Sequence, residues 1–329
     1  MKKGVSVIVC CFNSAARLRQ TLKHLSLQKT DGIDWEVVLV DNASTDQSKE
    51  IALALWEEFG RSTVPLKIID QPVQGLSKAR EKGIDAALYD ILIFCDDDNW
   101  LEDNYLRDAV SVMESQSQVG ALGGIGTAIT DIPLPPWFEQ YKGCYACYPQ
   151  GQQDGELTDT YAFLYGAGMV VKREVLQLLS AKNFVPILPD RVGTALTSGG
   201  DTELSYAIRL VGYKLWFTSK LKFSHYLAPS RLSDAYLYRL ISSMSYCSGI
   251  LIVYNYVLTG KKVNATVWLK DAIYQLLFFV RTSIVYVVSN DSLLSRKLDF
   301  AFSYNRMLSV FGQLGLYRSR FRQILQLKE

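Results

Sequence analysis

One stretch constrains this chain more than any other: ILIFCDDDNW, residues 91–100. Five apolar residues in a row call for burial on both faces, as in the interior strand of a parallel sheet. They run straight into Asp96, Asp97 and Asp98. Adjacent carboxylates repel one another, so the cluster costs stability unless something positive sits on it.

The apolar run has companions. VSVIVCCF (5–12), WEVVLV (35–40) and PLKIID (65–70) are strand-like in the same way. Between them lie helical segments: SAARLRQTLKHLSLQ (14–28), STDQSKEIALALWEEF (44–59), LSKAREKGIDAAL (76–88) and EDNYLRDAVSVMES (102–115). In the first, Leu18, Leu22 and Leu25 recur at helical spacing and Ser14 is placed to cap the N-terminus. Strand–helix alternation with wholly apolar strands predicts an α/β fold, a mostly parallel central sheet with helices on both faces. Such sheets bind ligands at the carboxyl ends of their strands. Asn13 follows the first strand, Asp41 the second and Asp96–Asp98 the fourth, which places all of them on one rim.

The middle is less regular. YAFLYGAGMVVKREVLQLL (161–179) reads as a strand, a Gly-Ala-Gly turn, a short strand and a helix. SGGDTELSYAIRLVGYKLWF (198–217) reads as a helix opening near Asp201, closed by Gly212 and followed by a strand. A second short strand, LKFSH, ends at His225. The remainder, 231–329, reads as helical.

Charge separates the two parts. Residues 1–229 hold 22 Lys/Arg against 28 Asp/Glu, and residues 230–329 hold 13 against 5. A basic, apolar-rich tail suits an anionic lipid surface. Its most apolar stretch, 272–289, has Arg281 near its middle and is at the margin of the length needed to cross a bilayer. Packed core helices, helices lying in the membrane interface and true spans are the three readings. The six cysteines include a C-x-x-C at Cys144 and Cys147. With no second pair and only His24 and His225 in the chain, zinc is not expected there. Reduced thiols and an N-terminus that reads as a strand rather than a signal peptide suit a cytoplasmic protein.

A carboxylate cluster on a strand rim suits a hard divalent cation, Mg²⁺ or Mn²⁺, shared with substrate phosphates. A nitrogen ligand from His225 would tilt the choice toward Mn²⁺.

Taken together, VSVIVCCFN, VVLVDNASTD, GLSKAREKGI and ILIFCDDDNW, in this order and spacing, resemble the nucleotide-binding half of inverting family 2 glycosyltransferases, which have the GT-A fold. GAGMVVKREVL and GGDTELSYAIRLVGYKLWF extend the resemblance into the acceptor half. It implies a catalytic domain over 1–230, divided at 125 into nucleotide and acceptor halves, followed by a helical, basic region over 231–329. It implies that Cys11, Phe12, Asn13 and Asp41 hold the base, with Phe12 stacking and Asp41 accepting from a ring N–H. Arg80, with Lys78 as the weaker candidate, would contact base or diphosphate. Asp96 and Asp97 belong to the D-x-D pattern, Asp96 on the ribose and second to Asp98 as metal ligand, and His225 would complete the metal shell. Trp100 would shape the sugar subsite. The general base of the family is the Asp of an E-D pair opening a helix. Here Asp201 matches it, Gly200 stands in place of the Glu, and Glu203 is the second choice.

The resemblance thus implies metal-dependent transfer of a sugar from a nucleotide-sugar donor, a UDP-sugar, to a hydroxyl of a saccharide or polyprenyl-diphosphate-linked acceptor, as in bacterial polysaccharide assembly. Work at the inner face of the cell membrane through 231–329 is expected, self-association is compatible, and nucleic acid is not a partner. A dinucleotide dehydrogenase would want G-x-G-x-x-G after the first strand, where this chain has CCFNSAARL. A sugar nucleotidyltransferase would want a Gly-rich basic loop there. A catalytically impaired sugar-nucleotide binder is the remaining alternative, raised by Gly200.

Overall fold

In the computed structural model, residues 2–30, 32–59, 63–188, 197–288 and 293–329 are described. Strand β1 (Lys2–Cys11) sends Val5, Val7 and Val9 to one side and Ile8 to the other, all buried. That period of two decides which helices cover which face. Helices α1 (Leu18–Ser26) and α2 (Ser48–Glu58) pack Leu18, Leu22, Leu25 and Trp56 against the valine side. Beneath Ile8 lie Val38 and Val40 of β2 (Trp35–Asp41), with Ala79 of α3 (Leu76–Ala86). Strands β3 (Leu66–Asp70) and β4 (Tyr89–Asp96) complete a parallel set in the order β3-β2-β1-β4. The register pairs Cys11 with Asp41 and Cys10 with Asp96, so the polar strand ends do share one rim.

The sheet continues through antiparallel insertions. Short β5 (Asn99–Leu101) follows β4 and is succeeded by α4 (Tyr105–Ser115) and β6 (Val119–Ile129). Next come the one-turn α5 (Phe138–Tyr141), β7 (Gly155–Glu156), β8 (Val170–Lys172), α6 (Arg173–Ala181), α7 (Gly200–Leu210) and β9 (Lys214–Tyr226). The remaining order is β4-β8-β6-β9-β5, with β7 on β9. The architecture is the expected α/β one, a mostly parallel mixed sheet with a helical C-terminal region.

Three local expectations change. Helix α1 begins at Leu18, and the Ser14 hydroxyl, rather than capping it, donates to Asp97. Residues 161–165 are irregular, and the strand there starts at Val170. In place of two short strands, β9 is one long strand that absorbs a register shift against β6 between Gly123 and Ile125.

The tail forms α8 (Asp234–Ile250), capped by the Ser233 hydroxyl on the Tyr236 amide, then α9 (Ile252–Leu258), α10 (Ala265–Val288), α11 (Leu294–Gly312) and α12 (Tyr317–Lys328). Val253, Tyr254, Trp268 and Ile324 join the same apolar cluster as Ile208 of α7 and Leu92 of β4. Helix α10 is different. It buries Trp268, Ala272 and Gln275 and leaves Leu277, Val287 and Val288 exposed. Among the described residues it is the one single helix long and apolar enough to cross a membrane, and the bent pair α8–α9 passes the same test when taken as one span. Ser289, the end of the apolar stretch in the sequence, lies outside the described residues.

Candidate active site

The acidic turn is held from both sides. The Thr21 hydroxyl of α1 donates to the Asp97 carbonyl (2.8 Å), and the Tyr226 amide of β9 donates to the Asp98 carbonyl (2.8 Å). Because β5 pairs antiparallel with β9, Asn99 lies opposite His225. The register therefore delivers the histidine to the aspartates.

The three carboxylates then diverge, each toward a different arginine. Asp96 faces Arg80 of α3, at 3.9 Å. Asp97 accepts from Arg17 (2.7 Å) and from Ser14. Asp98 accepts from Arg231 (2.8 Å), which comes from the turn before α8, and its other oxygen lies 3.5 Å from His225 Nε2. Burial and the charge of Asp98 push the Asp97 carboxyl above the usual range, although Arg17 and Ser14 pull against them. Burial acts on Asp98 as well, but His225, Arg231 and Arg17 outweigh it and hold that carboxyl well below the usual range. Arg80 also lies over the Phe94 ring, 5.0 Å from its centroid. Its position requires Gly166, since a Cβ there would fall 2.6 Å from the guanidinium.

His225 meets the requirements of a metal ligand. Nδ1 lies 2.7 Å from the Tyr145 carbonyl and can only donate to it, so the neutral ring, the form that binds a metal, has its lone pair on Nε2, whereas the imidazolium, the form that lowers Asp98, carries a proton there. Arg231 Nη1 lies 3.3 Å from that nitrogen and can donate to it in the neutral ring. The described residues hold no cluster of three candidate ligands, so a cation here would take two protein donors, Asp98 and His225. Mg²⁺ and Mn²⁺ bound through one or two carboxylates fill the rest of their shell with water and substrate phosphate, so the donor set fits.

These groups open onto a cavity of about 860 Å³. Cys11, Phe12, Arg80, all three aspartates, His225, Arg231 and Asp201 line it. Asp201, in the first turn of α7, accepts from the Gly166 amide (2.9 Å) and the Thr202 amide (2.8 Å). Asn13, at φ +50°, accepts from the Thr45 amide (2.8 Å) and ties the two strand-end loops together. Asp41 is buried just behind the lining, and its Oδ1 has no hydrogen-bond partner. An orphaned buried acceptor at the rim is what a ring N–H of a base would complete. The Cys11 thiol is pushed well up, chiefly by burial, and is chemically quiet.

Three expected site residues are placed elsewhere. Glu203 is fully buried away from the cavity. Its carboxylate accepts from the amides of Ile187 (2.7 Å) and Leu188 (3.0 Å) and from the Tyr254 hydroxyl (2.7 Å). It moors α7 and does not reach an acceptor. Lys78 points to solvent and pairs with Glu81. Trp100 stacks between His24 and Tyr226, both ring centroids 5.8 Å away, outside the cavity lining. Sequence reasoning missed Arg17 and Arg231. Cys144 and Cys147 form no disulfide, and burial pushes Cys144 up to about 11 and Cys147 to about 12.

The fold is similar to that of GT-A glycosyltransferases, and its acidic turn, buried histidine and helix-borne aspartate open onto one cavity. The family profile described as Glycosyl transferase family 2 matches residues 6–179, and the chain belongs to that family. It is 37% identical over 102 residues to the putative glycosyltransferase EpsH of Bacillus subtilis, covering 31% of this chain and 28% of EpsH. It is 28% identical over 229 residues to the glycosyltransferase AglE of Haloferax volcanii, covering 68% and 67%. The first curated relatives are thus matched over less than a third of their length. Among solved structures, Staphylococcus aureus TarS 1–349 in complex with UDP-GlcNAc aligns over 99% of this chain and 90% of its own, with TM-score 0.55 and 17% identity. A Pyrobaculum calidifontis mannosyltransferase in complex with GDP-Man and Mn²⁺ aligns over 99% and 85%, with TM-score 0.57 and 17% identity. At that identity these likenesses speak for the fold.

Proposed function

We propose that this glycosyltransferase moves a hexose from a UDP-sugar to an acceptor hydroxyl with inversion at the anomeric carbon. The observation that carries the reading is that Asp201 and the acidic turn open onto the same cavity. In a single displacement the acceptor oxygen attacks from the face opposite the diphosphate and needs one carboxylate to take its proton. Asp201 is the group that takes it, a reading supported by its carboxylate lining the cavity with Oδ2 accepting from the Gly166 amide and Oδ1 from the Thr202 amide. Asp41, with its unpartnered Oδ1, accepts from the base, Phe12 and Cys11 flank it, and Asn13 fixes the loop. Asp96 takes the ribose and Arg80 the diphosphate. Asp98 and His225 hold the divalent cation, Mn²⁺ or Mg²⁺, which when bound neutralises charge on the leaving diphosphate. The acceptor is a saccharide or a lipid-linked saccharide in polysaccharide assembly. The exposed apolar face of α10, flanked by Lys261, Lys262, Lys270 and Arg281, rests on the inner face of the membrane.

A thermal-shift screen of UDP, GDP, CMP and NAD, each with and without Mn²⁺, tests the reading, because a ligand that binds only the folded state raises Tm. UDP is expected to stabilise most with Mn²⁺ present, and Asp98→Ala to abolish the metal-dependent part. A protein indifferent to every nucleotide diphosphate, or stabilised by NAD alone, overturns it. Pelleting with anionic vesicles tests the membrane contact. Protein that stays in the supernatant at low salt removes it.

A further inference from the structure

The cavity does not end at Asp201. It continues along α8 past Cys247 and Ser248 to Tyr256, Lys261 and Arg306, residues beyond the span matched by the family profile. The two ends are close in the fold: a Cβ at Gly199, just before α7, would lie 3.5 Å from Cys247 Cβ. Helix α11, which carries Arg306, is pressed onto α8 at Gly249, where a Cβ would meet Ser309 Oγ at 2.7 Å and the Arg306 carbonyl at 3.1 Å. The wall opposite the strand rim is therefore built by the tail.

Arg306 is the anomaly in that wall. It is half-buried, and Nη1 donates to the Ser248 hydroxyl at 3.0 Å. No carboxylate of the described residues lies within 4.0 Å of its guanidinium, although Asp271 lines the same cavity. Burial lowers its proton affinity, and Tyr274 and Asp271 offset that only in part. Tyr256, only 6% exposed, has a hydroxyl with no partner and lines the cavity too. A guanidinium carries five N–H donors, and Asp271 acts on this one only from beyond ion-pair distance, so part of the cost of burying its charge is not offset. Each arginine of the strand rim has a carboxylate oxygen within 4.0 Å, and an oxyanion brought by a ligand would complete Arg306 in the same way.

We propose that Arg306, with Lys261 and the Tyr256 hydroxyl, forms a binding site for a phosphate or diphosphate ester carried by the sugar acceptor. The assignment rests on the glycosyltransferase reading, in which the donor diphosphate occupies the other wall at Arg80 and Asp98. Phosphate suits the site because the guanidinium fork binds its oxygens in pairs. Leu240, Met244, Leu251 and Ile252 line the same side and give an apolar chain on that ester somewhere to lie.

The test uses the full chain saturated with UDP and Mn²⁺, so that the donor site is filled, titrated calorimetrically with farnesyl phosphate in one arm and glycerol 3-phosphate in the other. At least one is expected to bind, and Arg306→Gln to weaken it about tenfold or more while the UDP-induced rise in Tm is unchanged. Arg306→Lys, which keeps the charge and loses the fork, should fall between. Farnesyl phosphate binding about tenfold tighter than glycerol 3-phosphate assigns the ester to a lipid carrier, and equal binding assigns it to the phosphate group alone. If neither binds the UDP-saturated protein, or Arg306→Gln binds as well as the parent, the site is refuted. The UDP response in the same samples keeps that failure apart from a failure of the glycosyltransferase reading, and it also reports that each variant is folded.

Discussion

On the strand rim of the cavity, Asp96, Asp97 and Asp98 each face an arginine from a different element, whereas on the helical wall Arg306 faces a serine. In the acidic turn each carboxylate is matched by an arginine, and a ligand entering there must exchange with existing partners. The wall is unfinished at rest, and a ligand entering it supplies the partner. The difference separates charges paired within the protein from a charge without an ion pair, which a residue count cannot do.

Substitutions sharpen that contrast. The largest effect belongs to the group between the walls. Asp201→Asn should cut transfer by about 10²–10⁴-fold with the UDP thermal shift intact, measured as product formation beside the melting curve. A fully active variant would move the proton acceptor elsewhere. On the rim, Arg231→Ala leaves Asp98 without its closest cation and should destabilise the fold by about 3 kcal/mol in chemical denaturation. Glu203→Ala strips two amides and the Tyr254 hydroxyl of their acceptor, and should cost about 2 kcal/mol or more. Glu203→Gln, which keeps an acceptor for two of the three, should cost less and retain transfer. On the helical wall the sign reverses: Arg306→Met, which removes a charge lacking an ion pair, should leave stability unchanged or raise it by up to roughly 1 kcal/mol. A loss there as large as that of Arg231→Ala would collapse the distinction between the walls. Lys78→Ala breaks only an exposed i, i+3 pair and should change stability by no more than about 0.5 kcal/mol.

What the sequence disclosed was local. Apolar runs and their polar ends depend on neighbours along the chain, so the sheet, the rim and the aspartate turn were legible. Facing was harder. Asp201 and Glu203 stand two apart on α7, and Lys78 and Arg80 two apart on α3. Two positions turn a helix by about 200°, so each pair had to split, one side chain to the cavity and one away from it. That consequence of helical geometry was available from the spacing alone. Trp100 was lost for a different reason: its partners His24 and Tyr226 come from distant segments. Arg17 and Arg231 carry no motif. They are recognisable only once the sheet order has brought α1 and the end of β9 to the same turn.

The pairing of Asp98 with Arg231 also sets an order of events. The two residues lie 133 positions apart, against 80 for Asp97 and Arg17. A chain emerging N-terminus first can close the shorter loop while the longer one awaits residue 231. Distant contacts of this kind slow folding, because loop closure must be completed before the contact returns any stability. The turn at the centre of the site is thus among the last to have its charge settled. A nascent chain released before residue 231 would carry an acidic knot with its principal counter-ion missing.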